Sequence, residues 1–164
     1  MSGAALEIGC GWGHNFAHYP ETVDLIAFDL EMDRVRSAAR QPNPQPPIRL
    51  SAADAEQLPF PNRHFDSVVG TLVFCSLPHP TQALAEIRRV LKPGGRLYLI
   101  DHVRSHHAAL GQTQDFLAPV WLKVTGGCNL NRNTEATVRA AGYELERLKI
   151  GWGGLLKLMV STPR

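Results

Sequence analysis

The stretch Leu6-Glu7-Ile8-Gly9-Cys10-Gly11-Trp12-Gly13 decides how the rest of the chain is read. An apolar run over residues 4–8 reads as a short strand, and glycines at alternate positions break it. Without a Cβ, the backbone there bends sharply and approaches a ligand that side chains would exclude. Residues 12–19 read as a helix opening from that turn, whose free N–H groups favour a carboxylate or phosphate. A purely structural glycine turn has the same local pattern, so the surroundings must decide. Glu7 stands two residues before the first glycine, and Asp29 closes a second apolar run, sixteen residues after Gly13. A carboxylate at the end of a second strand can accept both hydroxyls of a ribose. Capping a loop or helix is its competing role.

Outward from this loop, strand and helix alternate. Residues 23–28, 48–52, 67–73 and 96–101 read as further strands, and residues 31–40 and 81–91 as helices. In the second helix Leu84, Ile87, Val90 and Leu91 share one face, with Arg88 and Arg89 turned outward. Such alternation predicts a parallel sheet with right-handed crossovers. The end of the chain differs. Residues 131–141 read as an Asn-capped helix with Gly142 just beyond. Residues 143–150 and 155–161 read as strands joined by Gly151-Trp152-Gly153-Gly154, a connection short enough to force an antiparallel pair. The expected fold is a single α/β domain over residues 1–164, a Rossmann-like, doubly wound seven-stranded sheet, mostly parallel with an antiparallel last strand. The proline-rich stretch Gln41-Pro42-Asn43-Pro44-Gln45-Pro46-Pro47 reads as a stiff surface connector within it.

Composition sets the outer limits. The 164 residues are 44% hydrophobic and 20% charged, which excludes a collagen, a disordered chain and a disulfide scaffold. Lysine and arginine exceed aspartate and glutamate by only two, and the basic residues are scattered, so no nucleic-acid partner is expected. Cys10, Cys75 and Cys128 are odd in number and form no CxxC pair, which suggests free thiols in a reducing compartment. No apolar run approaches the roughly 20 residues of a membrane helix, and the opening residues lack a leader pattern. The expected location is cytoplasmic, with no integral membrane segment.

Two further segments carry a family resemblance. Ala53-Asp54-Ala55-Glu56-Gln57-Leu58-Pro59-Phe60, followed by Phe65-Asp66-Ser67-Val68-Val69, resembles the region between the third and fourth strands of class I S-adenosylmethionine (SAM)-dependent methyltransferases. Leu91-Lys92-Pro93-Gly94-Gly95-Arg96-Leu97 resembles the turn before their fifth strand. With the glycine loop, these give the order of the ubiquinone/menaquinone-methyltransferase-like branch from residue 4 to residue 161. Asn15-Phe16 with Tyr19-Pro20, Thr71-Leu72-Val73 with Cys75-Ser76, and Gly127-Cys128-Asn129-Leu130 are similar to segments of the methyltransferase-like thiol methyltransferases.

The resemblance implies SAM as cofactor and a role for each matching residue. Gly9, Cys10, Gly11 and Gly13 line the methionine part, with Glu7 orienting the loop or the amino group. Asp29 holds the ribose hydroxyls and Leu30 lies against the adenine. Asp54 accepts from the adenine amino group, the Ala55 N–H donates to the ring, and Thr71 and Leu72 sit near the sulfonium. The implied reaction is in-line displacement by a small apolar acceptor, a thiol first and a quinol, phenol or amine next. A free thiol needs little help, being already a few per cent thiolate at neutral pH. The animal relatives carry a membrane-anchoring N-terminus, and the family's usual helix and lid before the first strand have no counterpart here. Exposed apolar surface of that kind invites a homodimer.

His102, directly after Asp101 at the carboxyl end of the fifth strand, is the candidate base, against a plain structural histidine. His102, His106 and His107 have no acidic or thiol partner at helical spacing, so no metal is expected. Residues 116–124, with Trp121 and a break at Pro119, read equally as an apolar wall over the acceptor and as core. Cys75 and Cys128 read as buried small hydrophobes. The competing functions are a SAM-binding module without turnover and a nicotinamide oxidoreductase. Against the latter stand the GxGxG spacing and the terminal hairpin.

Overall fold

An interior strand of the sheet is β1 (Gly3–Ile8), whose Ala5, Leu6 and Ile8 are fully buried and whose two edges are both paired. A parallel strand covered on both faces has to read as an apolar run, and this one does. In this computed structural model, which describes residues 2–42 and 48–164, β1 lies between β2 (Val23–Asp29) and β4 (Phe65–Thr71). β3 (Arg49–Ala52) extends one side and β5 (Leu91–His102) the other, all parallel. β7 (Leu156–Pro163) then pairs antiparallel with β5, and β6 (Tyr143–Gly151) antiparallel with β7. The order β3-β2-β1-β4-β5-β7-β6 is the expected Rossmann-like, mostly parallel sheet, finished by the hairpin that the glycine connection demanded. Its strand order reverses between β1 and β4. Open α/β sheets bind ligands beyond the carboxyl ends of the strands at such a reversal.

Four helices accompany it among the described residues: α1 (Met32–Ala38), α2 (Pro80–Val90), α3 (Ala108–Thr125) and α4 (Thr134–Ala140). α2 starts on a proline, whose missing N–H would be unpaired there in any case, and buries Ala83, Leu84, Ile87 and Val90. They join Leu6, Ile8, Val68, Leu97 and Met159 in the larger apolar cluster. A smaller cluster on the opposite face gathers Ala5, Leu25, Ala27, Phe16 and Ala38. Consecutive strand residues point to opposite faces, which is why Ala5 and Leu6 part company.

Several expectations need correction. Residues 12–19 form no helix: the glycine loop continues as turns and closes in a three-residue 3-10 turn, Phe16–His18. Gly11 and Gly13 hold left-handed φ values of 55° and 79°, which a right-handed helix excludes. α3 runs through Pro119. Pro119 and Asp115 are both exposed, so the carbonyl deprived of its donor can be hydrated. α4 begins at Thr134, capped by the Asn133 carboxamide oxygen, which accepts from Ala136 N. Arg88 and Arg89 do not simply face solvent. Arg88 donates to the carbonyls of Ala141 and Gly142, and Arg89 to those of Leu58 and Phe60. Of the proline-rich connector, Asn43 to Pro47 lie outside the described residues. No helix among the described residues is long and apolar enough to cross a membrane.

Candidate functional site

The glycine loop leaves β1 at the reversal point, and its glycines serve different ends. A Cβ on Gly9, at φ 65°, would stand 1.9 Å from Val73 Cγ2, and one on Gly13 2.6 Å from the Phe16 ring. At Gly11 a Cβ would meet nothing within 4 Å. Two glycines therefore let the protein pack on itself, and the third presents bare backbone to open space. Asp29 fixes that arrangement: its Oδ2 accepts from Gly11 N at 2.9 Å and its Oδ1 from Glu31 N at 3.1 Å. Each carboxylate oxygen keeps a second lone pair for a ligand. Cys10 donates its N–H to Phe28 O at 2.9 Å, and its buried thiol is pushed up to about 12, first by burial and then by the charges of Glu7 and Asp29. It packs as a small apolar side chain.

Beneath the loop, Glu7 is buried and accepts from Asn15 Nδ2 at 2.8 Å through Oε1. Its Oε2 is buried with no hydrogen-bond partner among the described residues. Burial, the largest influence, raises this carboxyl above its ordinary value. The Tyr19 hydroxyl, also buried, stands beside this carboxyl and favours its charged form, as Asn15 does.

Gly9, Asp29, Leu30, Asp54 and Ala55 converge on one cavity of about 340 Å³. Asp54 steadies its own turn by accepting from Glu56 N at 2.8 Å, and Leu30 is 71% exposed, an apolar surface offered at the mouth. The lining also includes Val73, Ser76, Thr125 and Gly126, none of them given a role from the sequence. Val73 and Ser76 belong to the segment quoted for the resemblance, which assigned them no role. Thr125 and Gly126 end a helix far along the chain, with no local signal. Thr71 lines a different cavity, of about 450 Å³, with Asn15, Tyr19, Val69, Tyr98 and Ile100. Leu72 holds φ 56°, an outlying conformation for a bulky residue, and donates to Ile100 O at 2.7 Å.

At the end of β5, His102 Nε2 lies 2.8 Å from Cys128 Sγ, while its Nδ1 is buried with no partner among the described residues. Trp121 Nε1 donates to the same sulfur at 3.4 Å. Cys75 Sγ is the third member, and the imidazole nitrogen and two sulfurs all lie within 4.8 Å of one another. Burial pushes the Cys75 thiol strongly upward. The adjoining Asp101 is buried, accepts from Thr134 Oγ1 at 2.8 Å, and is raised by its burial. His106 and His107 stack on each other, at 4.2 Å between centroids, and stay outside this cluster. Cys128 is only half-buried and bonded to His102, which corrects its reading as an inert small hydrophobe. Along α3, Phe116 and Val124 are 82% and 78% exposed, so core packing does not account for that apolar face.

A family model described as "Methyltransferase domain" matches residues 6–99. The chain is 32% identical over 149 residues to the thiol S-methyltransferase TMT1B of Rattus norvegicus, covering 88% of this chain and 61% of that protein. It is also 32% identical over 149 residues to the thiol S-methyltransferase TMT1A of Homo sapiens, with the same coverage of 88% and 61%. The chain thus spans about three fifths of the length of these curated relatives. A SAM-dependent methyltransferase from Methanosarcina mazei shares the fold with a TM-score of 0.76 at 20% identity, covering 98% of this chain and 92% of that one.

Proposed function

The chain belongs to the methyltransferase domain family of SAM-dependent methyltransferases, and from that premise we propose that it methylates a small apolar acceptor, a thiol before a quinol, phenol or amine. The observation that carries the reading is the convergence of Gly9, Asp29, Leu30, Asp54 and Ala55 on one cavity beside the point where the strand order reverses. Those residues fit SAM. Asp29 would take the ribose hydroxyls, Leu30 and Ala55 the adenine face and ring, and Asp54 the adenine amino group. The open backbone of Gly11 suits the amino-acid end. Preference for a thiol is supported by the likeness to the two thiol S-methyltransferases.

When bound, SAM supplies a methyl group already activated by its sulfonium. What remains to the protein is chiefly positioning. Val73, Ser76, Thr125 and Gly126 line the same cavity, so the loops bearing Cys75 and Cys128 run beside it. A nucleophile held close and aligned gains most of the available rate advantage. A thiol needs no strong base, and His102 acts at this end of the site through its contact with Cys128.

The test is incubation of the chain with SAM and separate alkyl thiols, aryl thiols, a quinol, a phenol and an amine. Methylated product and demethylated cofactor are followed by mass spectrometry. The expected result is a methyl thioether with equimolar demethylated cofactor. Methylation of the amine or quinol alone would move the acceptor class. Tight SAM binding with no methylated product from any acceptor would leave a binding module.

A further inference from the structure

We propose that Cys75, His102 and Cys128 form a three-ligand site for a thiophilic d10 cation, zinc first, with an open fourth position that takes the acceptor thiol. The thiol clause rests on the function proposed above; the cation site does not.

The three ligand atoms come from the loop after β4, the end of β5 and the loop after α3, yet all lie within 4.8 Å of one another. With Zn–S near 2.3 Å and Zn–N near 2.0–2.1 Å, a tetrahedral site has edges of about 3.5–3.8 Å. The set therefore surrounds a cation once the Cys128–His102 edge opens from its present 2.8 Å. A hydrogen bond between Cys128 and His102 explains that edge alone and leaves Cys75 without a role. Cys75 Sγ makes long contacts of 3.6 Å to Leu72 O and Ser76 Oγ and stands beside the Asp101 carboxyl and the Cys128 sulfur.

The two cysteine loops are also braced against each other. Asn129 donates twice to Cys75 O, from its backbone N at 2.8 Å and its Nδ2 at 3.0 Å. Arg132 donates to the carbonyls of Phe74 and Leu77. The separation of the two sulfurs is thus set by the fold and not by side-chain chance.

The donor set chooses the ion. Two sulfurs and one imidazole suit zinc or copper(I) and reject magnesium, calcium and manganese. Two thiolates also neutralise a dication, which lowers the cost of keeping it half-buried. Three protein ligands are what a reactive zinc site has, the fourth place being left to water or substrate. His102 and Cys128 are only half-buried, which gives the cluster an open side. Ser76, next to Cys75, and Gly126, two residues before Cys128, line the cofactor cavity.

An acceptor thiol entering the fourth position loses its proton to solvent, because a coordinated thiol is deprotonated outright. A lone pair on its sulfur forms the new S–C bond while the C–S bond of the donor sulfonium breaks with its electron pair. The neutral thioether product is a weaker ligand and leaves.

The experiment uses the whole chain, reduced with a phosphine and freed of metal, and titrates it with cobalt(II) as a spectroscopic stand-in for zinc. The expected result is a stoichiometric sulfur-to-cobalt charge-transfer band that one equivalent of zinc abolishes. Cys75→Ser and Cys128→Ser should each weaken or remove the band while still binding SAM calorimetrically, which shows that they fold. Added benzyl thiol should then shift the visible cobalt bands. Folded, reduced wild type without a charge-transfer band would overturn the site, as would a Cys75–Cys128 disulfide that forms in preference to metal binding. A normal band indifferent to every thiol would overturn the fourth-position claim. The product assay above judges the acceptor class separately.

Discussion

Gly9 and Gly11 are two residues apart, and the structure gives them opposite sensitivities. Gly9→Ala forces a Cβ onto Val73 in a left-handed conformation, so the fold should lose about 3 kcal/mol, read from chemical denaturation. Gly11→Ala meets no atom within 4 Å, so stability should fall by only about 1 kcal/mol from the left-handed φ. SAM affinity should fall about tenfold or more, because the new methyl stands where the ligand approaches. Glu7→Gln works in the other direction. Burial raises the folded carboxyl above 4.5, so the unfolded chain gives up its proton first as pH rises. The contribution of Glu7 is then whole below 4.5 and lost as pH climbs through the higher folded value. Glu7→Gln should be more stable than wild type at neutral pH, with that slope gone from its denaturation profile, while binding SAM more weakly. Glycines and acids of this kind were legible because each sits at a strand end, where local sequence marks the turn. The Cys75–His102–Cys128 cluster was not, since 26 residues separate His102 from Cys128 and only the sheet brings them together.

At the scale of elements, α2 does more than cover the sheet. Glu86 Oε2 accepts from Leu58 N at 2.9 Å, and Arg89, paired with Glu86 at 2.7 Å, donates to Leu58 O, Phe60 O and Asn62 Oδ1. One turn earlier, His79 N and Gln82 Nε2 donate to Glu56. The helix thereby holds the segment that follows Asp54 and Ala55, which line the cavity. Arg89→Ala leaves three acceptors without their donor and should cost about 2–3 kcal/mol in denaturation. Arg89 also holds the Glu86 carboxyl below 4.5. That contribution is present above 4.5 and falls away as pH drops through the lower folded value, so Glu86→Gln should lose this part of the acid limb. Periodicity placed α2 within a residue, yet it sent Arg89 outward, because an amphipathic pattern shows what is polar and not what a polar group meets. The misread helix over residues 12–19 has the same origin: its side chains suit a helix, and the glycines beside them do not.

For the whole molecule, the parallel strands were legible because burial on both faces demands uninterrupted apolar runs, and the hairpin because its connection is so short. The share of Thr125 and Gly126 in the cavity was illegible, because they join it from a helix end far along the chain. A ligand that binds only the folded state stabilises all of it. SAM at a hundred times its Kd should add about 2.7 kcal/mol, and thermal scanning should record a rise in Tm of about 5–11 °C for a chain of this size. The central claim is that one cavity, anchored by Asp29, holds SAM. Calorimetric titration of wild type and Asp29→Ala with SAM tests it most directly. Wild type should show a single saturable one-to-one event, weakened in the variant by about 1–3 kcal/mol. A folded wild type that binds no SAM, or an Asp29→Ala variant that binds it equally well, would contradict it.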